Sequence, residues 1–342
     1  MAYTTINKSS EHFNTVLYTG NGASTHAITG VGFQPDWNWH KIRNDTDWHM
    51  VNDAVRGANY AIYPNATNAQ GNVPTGLKSF DSDGFTVGSL PDSNQNNGNF
   101  VSWNWKANGA GSANTAGSIN TTVSVNTTSG FSIVKWTGNS TAGETIGHGL
   151  GVTPKVVIIK RLTGSAQSWI CKFPTATDGY LALDTTDAIS ASSGWLPVSN
   201  SLITLANNWS AYNNNGNDYI AYCFADVQGF SKMGSYKGNG NNDGSFIYTG
   251  FSPAFVMTKN IGAIENWAIW DNKRIPFNAN TTILRADSAN AETSGYSVDF
   301  VSNGFKLRGG DGKINGNGST YIYMALAEAP LVGTNGVTAK AR

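Results

Sequence analysis

Charge is scarce in this chain of 342 residues. Asp, Glu, Lys and Arg together make up 13% of it, well under the usual quarter. Lys plus Arg and Asp plus Glu are 22 each, so the formal net charge is zero. Such a surface exerts no long-range pull on phosphate backbones or anionic lipid, which argues against nucleic acid and membrane surfaces as main partners. Cysteine is nearly absent: Cys171 and Cys223 are the only two, too few for a disulfide framework. Both fall inside predicted strands and read as small buried hydrophobes; a disulfide between neighbouring strands is the alternative. No apolar run approaches the 18 residues of a membrane span, so no membrane insertion is expected. Met1–Lys8 has no apolar core, so no secretory signal is expected either.

Recognisable chemistry is equally sparse. There is no Gly-x-Ser-x-Gly elbow and no P-loop, and Gly309-Gly-Asp-Gly312 with Lys313 lacks the phosphate-loop spacing. The five histidines, His12, His26, His40, His49 and His148, follow no metal-ligand spacing. The five glutamates (Glu11, Glu144, Glu265, Glu292, Glu328) occupy non-equivalent places, whereas a glycosidase needs two carboxylates facing one cleft. No catalytic residue, metal or cofactor is expected, and the chain reads as non-enzymatic.

What the chain has is glycine, asparagine, aromatics and repetition. Tyr18-Thr-Gly-Asn-Gly22, Trp136-Thr-Gly-Asn-Ser140 and Tyr236-Lys-Gly-Asn-Gly240 are versions of one phrase, in which an aromatic ends a strand and Gly-Asn-Gly supplies the positive-φ positions of a tight turn. Each is followed by a proline opening a run that closes on lysine: Pro35–Lys41, Pro154–Lys160 and Pro253–Lys259. A tryptophan follows in turn, Trp48, Trp169 or Trp267. Each copy ends on an aromatic-rich strand: Phe100–Lys106, Tyr219–Ala225 and Tyr321–Ala327. Copies this long are domain-sized rather than solenoid or propeller units.

The expected organisation is therefore three antiparallel β-sandwich repeats over residues 1–116, 117–228 and 229–330, with a C-terminal tail, 331–342, that needs a partner to become ordered. Each repeat is long enough to bury a core of its own, and three in series would form an elongated rod or arch. Trp37-Asn-Trp39 alternates as a half-buried strand does, while Val156–Ile159 is apolar on both faces and reads as a strand covered on both sides. Asp53 with Arg56, and Asp271 with Arg274, read as local ion pairs or turn clamps. Phe80-Asp-Ser-Asp-Gly-Phe85 is a hairpin signal; calcium at Asp81 and Asp83 is the alternative, but the third copy keeps the turn as Phe300–Phe305 without both carboxylates. Residues 107–129 form a linker whose Thr121–Val125 could pair as a strand. No helical periodicity is visible, so the fold class is all-β.

Rings that recur by position (Trp37, Trp39, Trp48, Trp103, Trp169, Trp267) are expected to pack cores. Rings outside those landmarks are freer to stack on sugar faces: Trp195, Trp209 and Tyr212 in the middle of the second repeat, and Tyr60 and Tyr63 in the first. These five are the candidate glycan or receptor contacts.

The phrases quoted above, with Gly32-Phe-Gln-Pro-Asp-Trp37, Asp53-Ala-Val-Arg-Gly57, Gly147-His-Gly-Leu-Gly-Val-Thr-Pro154 and Tyr321–Glu328, resemble the repeated lectin-like (laminin-G/concanavalin-like jelly-roll) virion proteins of tailed bacteriophages, often marine ones. The resemblance spans residues 12–330. It implies a jelly-roll fold, a place in the virion, other virion proteins as partners, and a homo-oligomer, plausibly a trimer. It brings no catalytic motif. The expected role is a tail-fibre or appendage protein contacting a host-surface glycan or receptor. The alternatives are a capsid-decoration or tail-assembly protein that binds only virion partners, and, third, a polysaccharide depolymerase.

Overall fold

A computed structural model describes residues 3–175, 178–192, 194–333, 336 and 338; most of the 331–342 tail lies outside the described residues. The chain is all-β. Among the described residues, helix is confined to one turn at Pro91–Asn94 and a 3-10 turn at Ser9–Glu11, and no helix is long and apolar enough to cross a membrane.

One strand order recurs in three antiparallel sheets. In the first, Phe13–Thr19 pairs with Asn99–Trp105, which pairs with Trp37–Ile42 and then Met50–Asp53. Phe131–Thr137, Asp218–Phe224, Val156–Arg161 and Ile170–Lys172 take the same order in the second. Ser231–Lys237, Thr320–Pro330, Phe251–Asn260 and Ala268–Asp271 take it in the third. The pairing registers make the phrase aromatics Tyr18, Trp136 and Tyr236 equivalent, opposite Phe100, Tyr219 and Tyr321. A smaller outer sheet belongs to each copy, including the hairpins Phe80–Phe85 and Phe300–Phe305 that the sequence predicts. Asp81 and Asp83 are engaged inside the first copy: Asp81 accepts from Ser79 and Thr86, and Asp83 from the backbone of Gly30 and Gly32. Within the expected 107–129 linker, Ser112–Asn114 and Thr121–Asn126 extend the second inner sheet, the latter as the sequence suggests.

The three inner sheets share one core. A single buried cluster takes in Trp37, Trp39, Trp103 and Trp105 of the first repeat, Ile133, Ile158, Tyr222 and Phe224 of the second, and Phe255, Met257, Met324 and Leu326 of the third. Trp37 stacks on Tyr222 at 4.5 Å, and Phe13 meets Phe255 at 5.8 Å. Smaller clusters lie under the outer sheets of the second and first repeats. The inner strands are thus covered on both faces, as Val156–Ile159 foretells: Ile158 points into the shared core, and Val157 and Ile159 into the second repeat's own. The half-buried reading of Trp37–Trp39 is corrected. Asn38 and His40 are buried as well, because the outer sheet covers them. His40 Nδ1 bonds Asn38 Oδ1 at 2.6 Å, and Asn38 Nδ2 donates to Asn104 Oδ1 at 2.7 Å, while His40 Nε2 is buried without a partner.

The rod or arch is also corrected, because the repeats close into a ring. At each junction the same three hydrogen bonds form. Backbone N–H groups of Asp47, Gln167 and Glu265 donate to the carbonyls of Ala289, Thr67 and Thr186. Those of Glu292, Gln70 and Ile189 donate to Arg43, Leu162 and Ile261. Ring nitrogens of His49, Trp169 and Trp267 reach the carbonyls of Arg285, Tyr63 and Ala182, at 2.9, 2.9 and 3.0 Å. The first repeat thereby meets the third, the second meets the first, and the third meets the second. The run-closing lysines Lys41, Lys160 and Lys259 are buried and spend their ammonium protons on backbone carbonyls there. Burial lowers each to about 8.

A further ring of contacts lies nearer the centre. Tyr222 donates to Asp53 at 2.7 Å, and Trp103 donates to Asp271 at 3.1 Å. Both acids also bind Arg three residues on, with side chains almost fully buried. The expected clamps are therefore local ion pairs that also tie neighbouring repeats together. At the third junction the equivalent residues are Met324 and Phe173, both apolar, so acid and donor are exchanged together.

The repeated Gly-Asn phrase is a clasp on the loop before the closing strand. The phrase aromatics donate to the carbonyls of Ser93, Tyr212 and Ile314. The next residues, Asn94, Asn213 and Asn315, are buried and accept the backbone N–H of Asn21, Asn139 and Asn239. The left-handed residue is the last of each phrase, Gly22, Ser140 or Gly240. The preceding Gly20, Gly138 and Gly238 are needed for close approach instead. A Cβ on Gly238 would lie 2.3 Å from the Gly316 carbonyl oxygen, which is backbone and cannot swing away. Gly238→Ala is expected to cost about 2–3 kcal/mol, read as a lower urea midpoint. Gly262→Ala, where the nearest atom is 3.8 Å away, should stay within about 0.5 kcal/mol of the parent.

Cys171 and Cys223 are free and buried. They flank the strand Val156–Arg161 on opposite sides and face different cores. The disulfide alternative therefore fails on geometry, and the small-hydrophobe reading stands.

Candidate functional site

Where three copies agree, the agreement serves the shared fold. Where one departs, the departure is free to serve something else, and the first repeat departs most visibly at the turn after Trp37–Ile42. Register makes His49, not Trp48, the equivalent of Trp169 and Trp267. His49 takes the buried ring position. Its Nδ1 accepts from Trp39 Nε1, which leaves Nε2 as the donor to Arg285. Trp48 falls one residue earlier and is 38% exposed. This corrects its expected place among the core rings. The signal was present in the sequence: the step of one residue before Met50–Asp53 turns a side chain to the other face.

Tyr63 packs edge-to-face on Trp48, with centroids 4.9 Å apart. Beside the pair stand Asp47 and Asp92, whose carboxyl groups are hydrogen-bonded to each other. Burial first, and then the hydrogen bond and charge of Asp47, push Asp92 up to about 7. Burial, then the charges of Asp92 and Asp47, raise the Tyr63 hydroxyl. In the third repeat the positions of Asp47 and Asp92 are Glu265 and Lys313, an ion pair at 3.3 Å. In the second they are Gln167 and Ala211. The positions of Trp48 and Tyr63 hold Ser168 and Ala182 in the second repeat and Asn266 and Arg285 in the third. The first repeat alone thus combines an exposed tryptophan packed on a half-buried tyrosine with an Asp92 carboxyl pushed up by burial and by Asp47. Flat apolar ring surface beside good acceptors suits a ligand with both C–H faces and hydroxyl donors.

The titration has a definite sign. The pKa of Asp92 in the folded protein lies above its unfolded value of 3.8. Its stabilising contribution is therefore complete below that value and lost as pH rises through about 7. Asp92→Asn is expected to gain relative to the parent between pH 5 and pH 8. Discounted for solvent access to the site, the gain is about 1 kcal/mol, or roughly 2 °C in Tm. A Tm difference that is flat across that range would mean that Asp92 does not titrate there.

The five candidates named from sequence separate. Trp195 and Tyr212 are buried, at 1% and 0% exposure, in a four-ring cluster with Tyr180 and Trp209. Trp195 donates to Gly179, and the carbonyl of Tyr212 receives Trp136. Their ring faces serve packing, which corrects their assignment as surface contacts. Trp209 is half-buried at the edge of that cluster. Tyr60 is exposed, and its carbonyl accepts from Asn52 and Arg56. Tyr63 belongs to the Trp48 pair. Asp47, Asp92 and Trp48 are the members that sequence reasoning missed.

No curated protein matches the chain. One family pattern covers nearly all of it, from residue 8 to residue 330, so all three repeats fall within a single family unit. The chain belongs to the family described as a domain of unknown function, DUF7483.

Proposed function

We propose that this chain is a non-enzymatic virion protein of a tailed bacteriophage, a tail-fibre or appendage component that contacts a host-surface glycan. The virion assignment is supported by the resemblance of the repeated phrases to lectin-like phage proteins. The glycan assignment is carried by one observation: the first repeat exposes Trp48 on Tyr63, beside Asp47 and Asp92, where the other two repeats have no ring pair. Aromatic faces stack on the C–H faces of a sugar, and the carboxyls accept its hydroxyls. Asp47 and Asp92 touch, whereas glycosidase pairs stand roughly 5–10 Å apart, so this pair does not support a depolymerase. Other virion proteins and further copies of the chain complete the proposed set of partners.

The test is adsorption competition. Purified protein is added to host cells before phage, and free phage is counted over time. Saturable slowing, lost in a folded Trp48→Ala variant, is the expected result. Unchanged adsorption with folded protein would favour the second reading, a structural component that binds only virion partners. That reading draws on the exposed Phe246, Tyr248, Ile264 and Phe277, the last two 75% and 76% exposed, which suit interfaces with other proteins.

A further inference from the structure

The second repeat covers the edge of its own outer sheet, and the third does not. Register makes three edge strands equivalent, His26–Thr29, Glu144–Gly147 and Phe246–Tyr248, with Ile28, Ile146 and Ile247 buried in each. In the second repeat, residues 118–121 run along that edge. Ile119 N–H donates to the Thr145 carbonyl at 3.0 Å, Thr145 N–H donates to Ser118 Oγ at 2.8 Å, and Thr121 Oγ1 donates to the Gly147 carbonyl at 3.3 Å. Thr145 is half-buried there and Gly147 is buried. The third repeat has no such segment, because only residues 225–230 separate its first strand from the last strand of the second.

Phe246 and Tyr248 stand where the second repeat has Thr145 and Gly147 and the first has Ala27 and Thr29. They are 48% and 55% exposed, and they share the outer face of the strand, since Ile247 between them points into the core. Their backbone groups point away from the sheet. Leu307 N–H donates to the Ser245 carbonyl and Thr249 N–H donates to the Asn303 carbonyl, so the inward bonds fall on residues 245, 247 and 249 and the outward groups belong to Phe246 and Tyr248. Among the described residues, no backbone bond from beyond the sheet reaches those groups. The open stretch is bounded at both ends: the Gly250 carbonyl accepts from Leu331 N–H and the Tyr3 hydroxyl, and the Ser245 hydroxyl donates to the Lys237 carbonyl. An uncharged edge bearing two exposed rings is a template for another strand.

We propose that this edge pairs with the same edge of a second copy of the chain, antiparallel and two-fold symmetric about Ile247. The edge is complementary to itself. In that register Phe246 lies opposite Tyr248 of the second copy, and the outward backbone groups are the ones such a pair exchanges. Each Phe246 ring then lies beside a Tyr248 ring on the outer face, a cross-strand aromatic pair. Ser245 meets Thr249, and residues 245–249 bring no like charges together. A contact of this kind closes after two copies and gives a dimer rather than a fibre. A foreign strand would also satisfy the backbone, but self-pairing supplies a partner for each exposed ring from the chain's own sequence. The inference deepens the reading that further copies of the chain are partners, and it is independent of the Trp48 site.

The experiment is sedimentation velocity of the full chain from about 10 µM to about 1 mM, the range suited to so small an interface. The expected result is a reversible monomer–dimer equilibrium, weakened tenfold or more in Phe246→Thr and in Tyr248→Thr but unchanged in Trp48→Ala. Threonine occupies the equivalent positions as Thr145 and Thr29, so both variants should fold. Register is read with introduced cysteines. A mixture of Phe246→Cys and Tyr248→Cys chains is expected to form disulfide-linked dimers, as opposed Cα atoms about 5.5 Å apart allow, while either variant alone forms far fewer. Cys171 and Cys223 are buried and do not compete. A chain that stays monomeric across the range, a trimer, an assembly that survives both threonine variants, or single variants that cross-link as well as the mixture would overturn the proposal and leave the edge to another partner. Adsorption competition is read separately, so loss of the dimer leaves the Trp48 reading standing.

Discussion

Asp271→Ala is expected to cost about 3–5 kcal/mol, the usual penalty for breaking one side of a buried ion pair. The carboxylate receives Arg274 Nε at 2.6 Å, the backbone N–H groups of Lys273 and Arg274 at 3.0 and 2.9 Å, and Trp103 Nε1 at 3.1 Å. Removing it strands a guanidinium that is almost fully buried and an indole N–H from the neighbouring repeat. Arg274 retains the Ile269 carbonyl and a longer contact to Glu292, which limits the loss without cancelling it. The fall in Tm should be about 10 °C, with a matching drop in urea midpoint. Asp53→Ala should behave alike, because Arg56 and Tyr222 occupy the same geometry. Tyr222→Phe should cost less, about 1–2 kcal/mol, since it removes a donor and leaves the ion pair whole. If Asp271→Ala melts within 2 °C of the parent, the acid is not the clamp described.

Expressed alone, residues 229–330 are expected not to fold cooperatively. On the length of the repeat, an independent core is reasonable. The structure instead places Phe255, Met257, Trp267, Met324 and Leu326 in a cluster completed by rings of the other repeats. Excision would expose that face to water, with a loss of about 25 cal/mol for each Å² of apolar surface uncovered. It would also strip the partners from Trp267 Nε1 and from the backbone of Glu265 and Ile261. Residues 117–228 should retain more structure, because Trp136, Trp195, Leu205 and Tyr219 form a cluster inside that repeat. Near-ultraviolet circular dichroism and a thermal melt decide the matter. A sharp, native-like transition for 229–330 would mean that the repeats are independent domains after all.

The inner strands were readable because each carries its own evidence. Pro154–Lys160 is short, β-branched and apolar on both faces, and Phe80–Phe85 carries an Asp-Gly turn between strand residues. The repeated Gly-Asn phrase was readable as a turn, but not as a clasp. Its partner, the loop at Asn94, Asn213 and Asn315, lies more than 70 residues away, and no local pattern links the two. Asn38 and His40 looked solvated because alternation describes the two faces of one strand and is silent on what covers them. For the same reason Trp195 and Tyr212 looked available. An irregular stretch between strands says nothing about whether its rings fold back inward.

Composition and pattern by themselves determined that this protein is all-β, neutral, and built from one motif used three times. These properties follow from local preferences: turn residues, strand periodicity and charge. The closure of the ring, the single core shared by three inner sheets, and the pairing of Trp48 with Tyr63 were decided only by tertiary structure. Each depends on which side chain meets which across repeats, and contacts between distant residues leave no trace in local pattern. The site proposed for function lies where that long-range symmetry breaks, and it became visible once the copies could be compared in space.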